Sequence, residues 1–250
     1  MQETGGVYPS TPGQPSYKLG QWLGDAWRLF KARILELVAL ILLGIVPMLV
    51  LMAVVFPLQF AVMGRAGEPP SFRLVPTGMD VLTSVIAALV SAAVYTPFMV
   101  GAAAVVLNYV RAGLIDWGLI WTGYRKWSSS LLLGIWPGGI STVCTLFPVL
   151  AILVPVWLAV LLWTTFATFS LSESGTTYSQ AVDHGLRLIK ISFWQAVLFY
   201  LVAVLVSISG IVACCIGVLF TSALFQVLVA VAYNDLTRSM PLTRGAEFGT

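Results

Sequence analysis

The sequence predicts an all-α, polytopic membrane protein: six transmembrane helices arranged as three hairpins, with amphipathic helices at the cytoplasmic interface. Three observations carry that expectation. The 250 residues are 59% hydrophobic and 9% charged, with a mean hydropathy of +0.94, whereas a soluble domain carries roughly 25% charged residues. Residues 127–172 run 46 positions without an Asp, Glu, Lys, Arg or His. A hydrocarbon core about 30 Å thick takes about 20 helical residues, so this run suits two crossings and is too long for one. Finally, segments with helical amphipathic spacing stand ahead of the apolar runs, as if each run were entered from the membrane surface.

In chain order, residues 1–16 form an irregular tail with three prolines and three glycines and no signal-peptide pattern. Residues 17–33 alternate two faces. Leu19, Trp22, Leu23, Ala26, Trp27 and Phe30 fall on one side, and Lys18, Gln21, Asp25, Arg28 and Lys31 on the other. Residues 37–63 supply one span, with Pro47 and Pro57 as kink points. A polar loop follows over 64–80, and residues 81–110 supply the second span. Residues 111–127 return to amphipathic character, with Leu114, Trp117, Trp121 and Tyr124 on one side. In the long central run a turn is expected near Phe147-Pro148, because proline lacks the N–H and disfavours helix at the preceding residue. Residues 178–190 form another amphipathic helix. Residues 191–234 are 44 uncharged positions, hence two more spans with a turn between 209 and 217. The transmembrane domain therefore covers 17–236 and a short polar tail covers 237–250.

An internal repeat supports this layout. A shift of 159 residues places Gln21 on Gln180, Arg28 on Arg187, Leu29 on Leu188 and Lys31 on Lys190; it also pairs Val38 with Val197 and Leu42 with Leu201. The repeating unit is an interfacial helix followed by a transmembrane hairpin. Orientation follows from the bases. Eleven of the 13 Lys and Arg lie on the side that holds both termini, and only Arg65 and Arg73 lie on the other. Positive residues stay in the cytoplasm, so both termini are expected there.

Little in the chain suggests chemistry. No ionisable residue falls in the middle of an expected span, which speaks against a proton-coupled pathway. His184 is the single histidine, and its neighbour Asp183 points about 100° away on a helix. No cofactor, metal site or catalytic residue is predicted, and the net charge of +3 gives no reason to expect nucleic acid. Thr164, Thr165 and Thr168 read as hydroxyls bonded to their own helix, with a polar lining as the alternative. Cys144, Cys214 and Cys215 read as small packing residues, and a disulfide from Cys144 to either of the other two stays open. The candidate functional residues are therefore peripheral. Arg28, Lys31, Arg187 and Lys190 are expected to meet anionic lipid headgroups, and Trp22, Trp27, Trp117 and Trp121 to anchor the interfacial helices.

The segment Asp25-Ala-Trp-Arg-Leu-Phe-Lys31, the Arg111-Ala-Gly113 step, the Trp117-to-Lys126 stretch and the ending Ala232-Tyr-Asn-Asp-Leu236 carry a resemblance. The chain resembles uncharacterised bacterial multipass proteins related to the membrane domain of glycerophosphoryl diester phosphodiesterases. The resemblance implies a membrane module of the bacterial cytoplasmic (inner) membrane without the soluble catalytic domain. The expected function is non-enzymatic: a structural or accessory subunit whose partners are membrane lipids and other membrane subunits or a second copy. The alternative is a transporter or channel-like protein for a lipid or small apolar solute.

Overall fold

The computed structural model describes residues 18–64, 78–146, 154–191, 193–212 and 214–239. All regular structure among them is helical. The order is α1 (Leu19–Ala32), α2 (Ile34–Gly64), α3 (Gly78–Ala112), a 3₁₀ turn (Trp117–Ile120), α4 (Trp121–Arg125), α5 (Trp127–Leu146), α6 (Val154–Ser172), α7 (Tyr178–Ile191), α8 (Phe193–Val212) and α9 (Cys214–Ser239). Among the described residues, two helical stretches are long and apolar enough to cross a membrane by length and composition, Ala88–Ala112 in α3 and Gly217–Arg238 in α9. Ile34–Pro47 and Val160–Ser172 are shorter apolar stretches. The tail 1–16, most of the loop 64–80 and the turn expected near Phe147-Pro148 lie outside the described residues, as do the side chains of Cys144, Cys214 and Cys215. The position between α8 and α9, Ala213, where a turn was expected over 209–217, also lies outside the described residues, and α9 runs on to Ser239, beyond the boundary at 236.

The repeat is visible in the elements themselves. Shifted by 159 residues, both ends of α1 coincide with those of α7, and the start of α2 coincides with the start of α8. Burial follows the same register: Trp22 and Ala181, Ala26 and Gly185, Phe30 and Ile189, Leu37 and Ala196, and Leu40 and Phe199 are all buried.

The middle amphipathic segment departs from expectation, for it is not one helix over 111–127. Gly113 takes a φ of 72° and donates its N–H to the Tyr109 carbonyl at 2.8 Å, which is how glycine closes a helix in the left-handed region. The chain then runs irregularly to Asp116, whose carboxylate accepts from the Gly118 N–H at 2.9 Å and starts the 3₁₀ turn. The apolar residues expected on one side, Leu114, Trp117, Trp121 and Tyr124, are all exposed.

Two glycines let this segment sit directly on α3. A Cβ at Gly101 would lie 2.0 Å from the Ile120 carbonyl oxygen, and one at Gly123 would lie 1.7 Å from that of Pro97. Both sites therefore require glycine for backbone-to-backbone approach. Pro97 itself, inside α3, has no N–H for the carbonyl of Ala93 four residues earlier. The indole N–H of Trp127 donates to that carbonyl at 2.9 Å, replacing the missing donor from the first residue of α5.

The packing has a threefold order. Helices α2 and α3, α5 and α6, and α8 and α9 pair as three units. Each amphipathic segment seats on the last helix of the preceding unit: the 3₁₀ turn and α4 on α3, α7 on α6, and α1 on α9, which closes the cycle. The helices α3, α6 and α9 touch one another in the middle. Phe169 of α6 stacks on Tyr233 of α9 with ring centroids 5.8 Å apart, and both are almost fully buried. Outward stripes at helical spacing are exposed and apolar: Leu42, Val46 and Leu49 on α2, Leu82, Val85 and Leu89 on α3, and Leu198, Leu201 and Leu205 on α8.

Candidate functional site

The C-terminal ends of α3, α6 and α9 converge on a polar cluster. Helix ends leave carbonyls without intrahelical donors, and here side chains from other elements supply them. The ammonium of Lys126, between α4 and α5, donates to the carbonyls of Leu171 at 2.8 Å, Glu173 at 2.5 Å and Thr176 at 3.2 Å. It thereby caps α6 and fixes the turn into α7, with the sign that a helix C-terminus favours. Burial lowers its pKa, and Glu173 opposes that shift. The Arg111 guanidinium on α3 donates to Asn234 Oδ1 on α9 at 3.1 Å and to Glu173 Oε1 at 2.6 Å. One side chain thus ties the three central helices together. Beside it a cleft of about 320 Å³ is lined by Asn108, Arg111, Thr122, Ser172 and Glu173, among others.

His184 stands on α7 against this cluster. Its Nδ1 lies 3.1 Å from the Ser170 hydroxyl and 3.4 Å from that of Tyr233. Burial lowers its pKa; Glu173 and Asp183 pull upward, and Arg187 pulls downward. The neutral ring with Nδ1 as acceptor suits both hydroxyls. A serine beside a histidine is the pair that activates a nucleophile, and sequence reasoning missed it, because the two stand 14 positions apart on different helices with a turn between them. Ser170 is buried and shares the nitrogen with Tyr233, so its hydroxyl joins α6, α7 and α9 in the core. Asp183 does not join them; it pairs with Arg187 at 2.7 Å, one turn further along the helix.

The candidate interfacial anchors separate into two groups. Trp27, Trp117 and Trp121 are exposed by 49%, 40% and 62%. Trp22 is 1% exposed and is corrected from lipid anchor to core residue. Its indole N–H donates to Asp235 on α9 at 2.9 Å, and its ring meets Phe199 edge-on at 5.4 Å. The Tyr109 hydroxyl donates to the Leu29 carbonyl at 2.8 Å, adding a second tie from α3 to α1. The physical reason is that Trp22 lies on the face turned to α9 and α8, while Trp27 lies further round the same helix.

The basic candidates separate as well. Arg28 pairs with Asp25 on its own helix, as Arg187 does with Asp183. Lys31 lies 5.5 Å from the ring of Trp27 and Lys190 is exposed; neither forms an ion pair among the described residues. The two lysines occupy equivalent positions of the repeat, so they are the pair whose charge is least neutralised.

A second concave region lies among α3, α5, α6 and α9, with a volume of about 320 Å³. Ala88, Ala92, Thr96 and Met99 present one face of α3 to it, and Gly134 and Pro137 present α5. The α6 hydroxyls are largely occupied. Thr164 donates to Val160, Thr165 to Leu161 and Thr168 to Thr164 carbonyls, at 2.9, 2.7 and 2.7 Å. No group of three or more His, Cys, Asp or Glu suited to a metal is present among the described residues.

Compared with known proteins, the chain matches no family model, no curated protein sequence and no solved structure.

Proposed function

We propose that this chain is a six-span protein of the bacterial cytoplasmic membrane with both termini inside, and that it acts without catalysis as a structural or accessory subunit of a membrane assembly. One observation carries the reading. Three ionisable side chains near helix ends join elements distant in sequence: Lys126 on three carbonyls, Arg111 on Asn234 and Glu173, and Asp235 on Trp22. That is what a scaffold needs. The outward leucine and valine stripes support a lipid-facing or subunit-facing perimeter. Exposed Trp27, Trp117, Trp121 and Trp127 support an aromatic belt at the cytoplasmic headgroups, with Lys31 and Lys190 toward anionic lipid. The cavity of about 320 Å³ favours a second reading, a carrier for a lipid or small apolar solute.

Purification in mild detergent tests the proposal. The expected result is a stable assembly, either with stoichiometric membrane subunits or with further copies of this chain. A monomer that hydrolyses lipid phosphodiesters would overturn the non-enzymatic reading, and one that moves solute into liposomes would favour the carrier.

A further inference from the structure

The cavity among α3, α5, α6 and α9 holds polar groups that the fold does not use. Thr96 and Tyr95 on α3 and Gln226 on α9 line it, and none of the three side chains makes a hydrogen bond to another described residue. This separates them from the α6 threonines, whose hydroxyls donate to their own helix. Gln226 stands near the middle of the apolar stretch Gly217–Arg238. A carboxamide there is costly to leave unsatisfied, because neither lipid tails nor a dry core offers a partner. Backbone geometry adds to the opening. Pro137 has no N–H for the carbonyl of Leu133, and Leu133 also lines the cavity. Gly134 brings α5 hard against α3, since a Cβ there would lie 2.2 Å from the Thr96 hydroxyl oxygen. Apart from the three α6 threonines the remaining lining is apolar, and no charged residue contributes. The volume falls at the lower end of small-molecule sites.

We propose that this cavity binds an uncharged membrane-soluble amphiphile, with one hydrogen-bonding head received by Gln226, Thr96 and Tyr95 and an apolar body packed against Met99, Leu161 and Phe225. The assignment rests on the membrane reading given above. Donor and acceptor capacity without charge selects carbonyl or hydroxyl heads and disfavours phosphate heads. Diacylglycerols and isoprenoid quinones share that chemistry.

The test places the full chain in lipid nanodiscs with a photoactivatable diacylglycerol, a photoactivatable quinone or a photoactivatable phosphatidylglycerol, and maps the labelled peptides. One of the two neutral probes is expected to label cavity residues of α3, α6 or α9 and to be displaced by its unlabelled form; which probe does so identifies the source. Gln226→Leu and Thr96→Val should each weaken half-saturation about three- to tenfold, the worth of one hydrogen bond. Ala88→Phe, which fills the space, should abolish labelling. The three changes lie on two helices and each is scored only when elution matches wild type, so one misfolded variant leaves the others decisive. Neutral-probe labelling confined to the outward stripes of α2 and α8, or equal labelling of the cavity by phosphatidylglycerol, overturns the proposal while leaving the membrane reading intact. Recovery of the chain in the aqueous phase without detergent overturns the membrane reading instead.

Discussion

Helices α1 and α7 have the same length and register and share three buried positions, Trp22 with Ala181, Ala26 with Gly185 and Phe30 with Ile189, yet they are held in different ways. Helix α1 reaches its neighbours with large side chains: Trp22 to Asp235 and Phe199, and Phe30 edge-on to Phe220 at 6.4 Å. Helix α7 carries Ala181 and Ile189 at the corresponding positions, and Gly185, the counterpart of Ala26, lets α6 approach its backbone. A Cβ at Gly185 would lie 3.1 Å from the Ala167 nitrogen and 3.2 Å from the Trp163 carbonyl oxygen. The Trp163 indole then donates to the Val182 carbonyl at 3.2 Å. One seat is filled by aromatic volume and the other by close backbone contact, so a shared pattern of burial does not imply a shared cause of binding.

The comparison can be broken most strongly at Trp22. Trp22→Ala removes a fully buried aromatic and leaves Asp235 without its indole donor. A loss of about 3–5 kcal/mol is expected, read as a lower melting temperature and as new protease cleavage within α1. If cleavage appears in α7 instead, the two seats are coupled and the contrast fails.

Gly185→Leu attacks the other seat. The added side chain meets backbone that has little freedom to retreat, and overpacking of this kind costs about 1–3 kcal/mol. Loosening should appear at α7 and the 173–177 turn while α1 keeps its protection in hydrogen exchange. Equal loosening of α1 would contradict the picture of separate attachments.

A somewhat smaller loss is expected from Lys126→Met, which keeps most of the side-chain length and removes the donor to three carbonyls. The turn into α7 should become exchange-labile, with a loss of about 1–2 kcal/mol. Lys126→Arg should rescue only in part, because a planar guanidinium does not reproduce the directions of an ammonium.

The smallest effect distinguishes the helices by pH. Burial depresses the His184 pKa below 6.5, so the unfolded chain binds this proton more readily than the native one. The resulting contribution is fully present above about pH 6.5 and falls away as pH drops toward the lowered native value. Melting curves at pH 7.5 and 5.5 should therefore differ more for wild type than for His184→Gln. Identical differences would remove His184 from the seat of α7.

Much of this arrangement is written at short range. The three- and four-residue spacing in 17–33 and 178–190 reveals both amphipathic helices, and their offset of 159 residues matches the observed ends of α1 and α7. Which face meets protein is not written there. Trp22 and Trp27 belong to the same apolar side, and lipid and protein interior are equally apolar, so only the tertiary fold separates core from anchor. Gly101 and Gly123 look like any glycine in an apolar context until Ile120 and Pro97 stand opposite them. Lys126 was legible only as a base between two elements, and its carbonyl partners lie 45 to 50 residues away. Ser170, His184 and Tyr233 meet for the same reason, through packing of three helices and not through spacing. The unpartnered Gln226 was visible as a polar residue in an apolar run, and only the cavity shows where it stands.

The closure of the helix cycle by α1 on α9 also sets an order in time. Trp22 and its partner Asp235 are 213 residues apart, and at synthesis rates of about 5–20 residues per second the partner emerges roughly 10–40 s later. Until then the apolar face of α1 has no protein seat. On the proposed membrane reading, the surface of the bilayer is its waiting place, and Trp22 touches headgroups early in the life of the chain before it is covered by α9. The amphipathic pattern of the first helix thus serves the nascent protein as much as the finished one, and docking of α1 marks completion of the bundle.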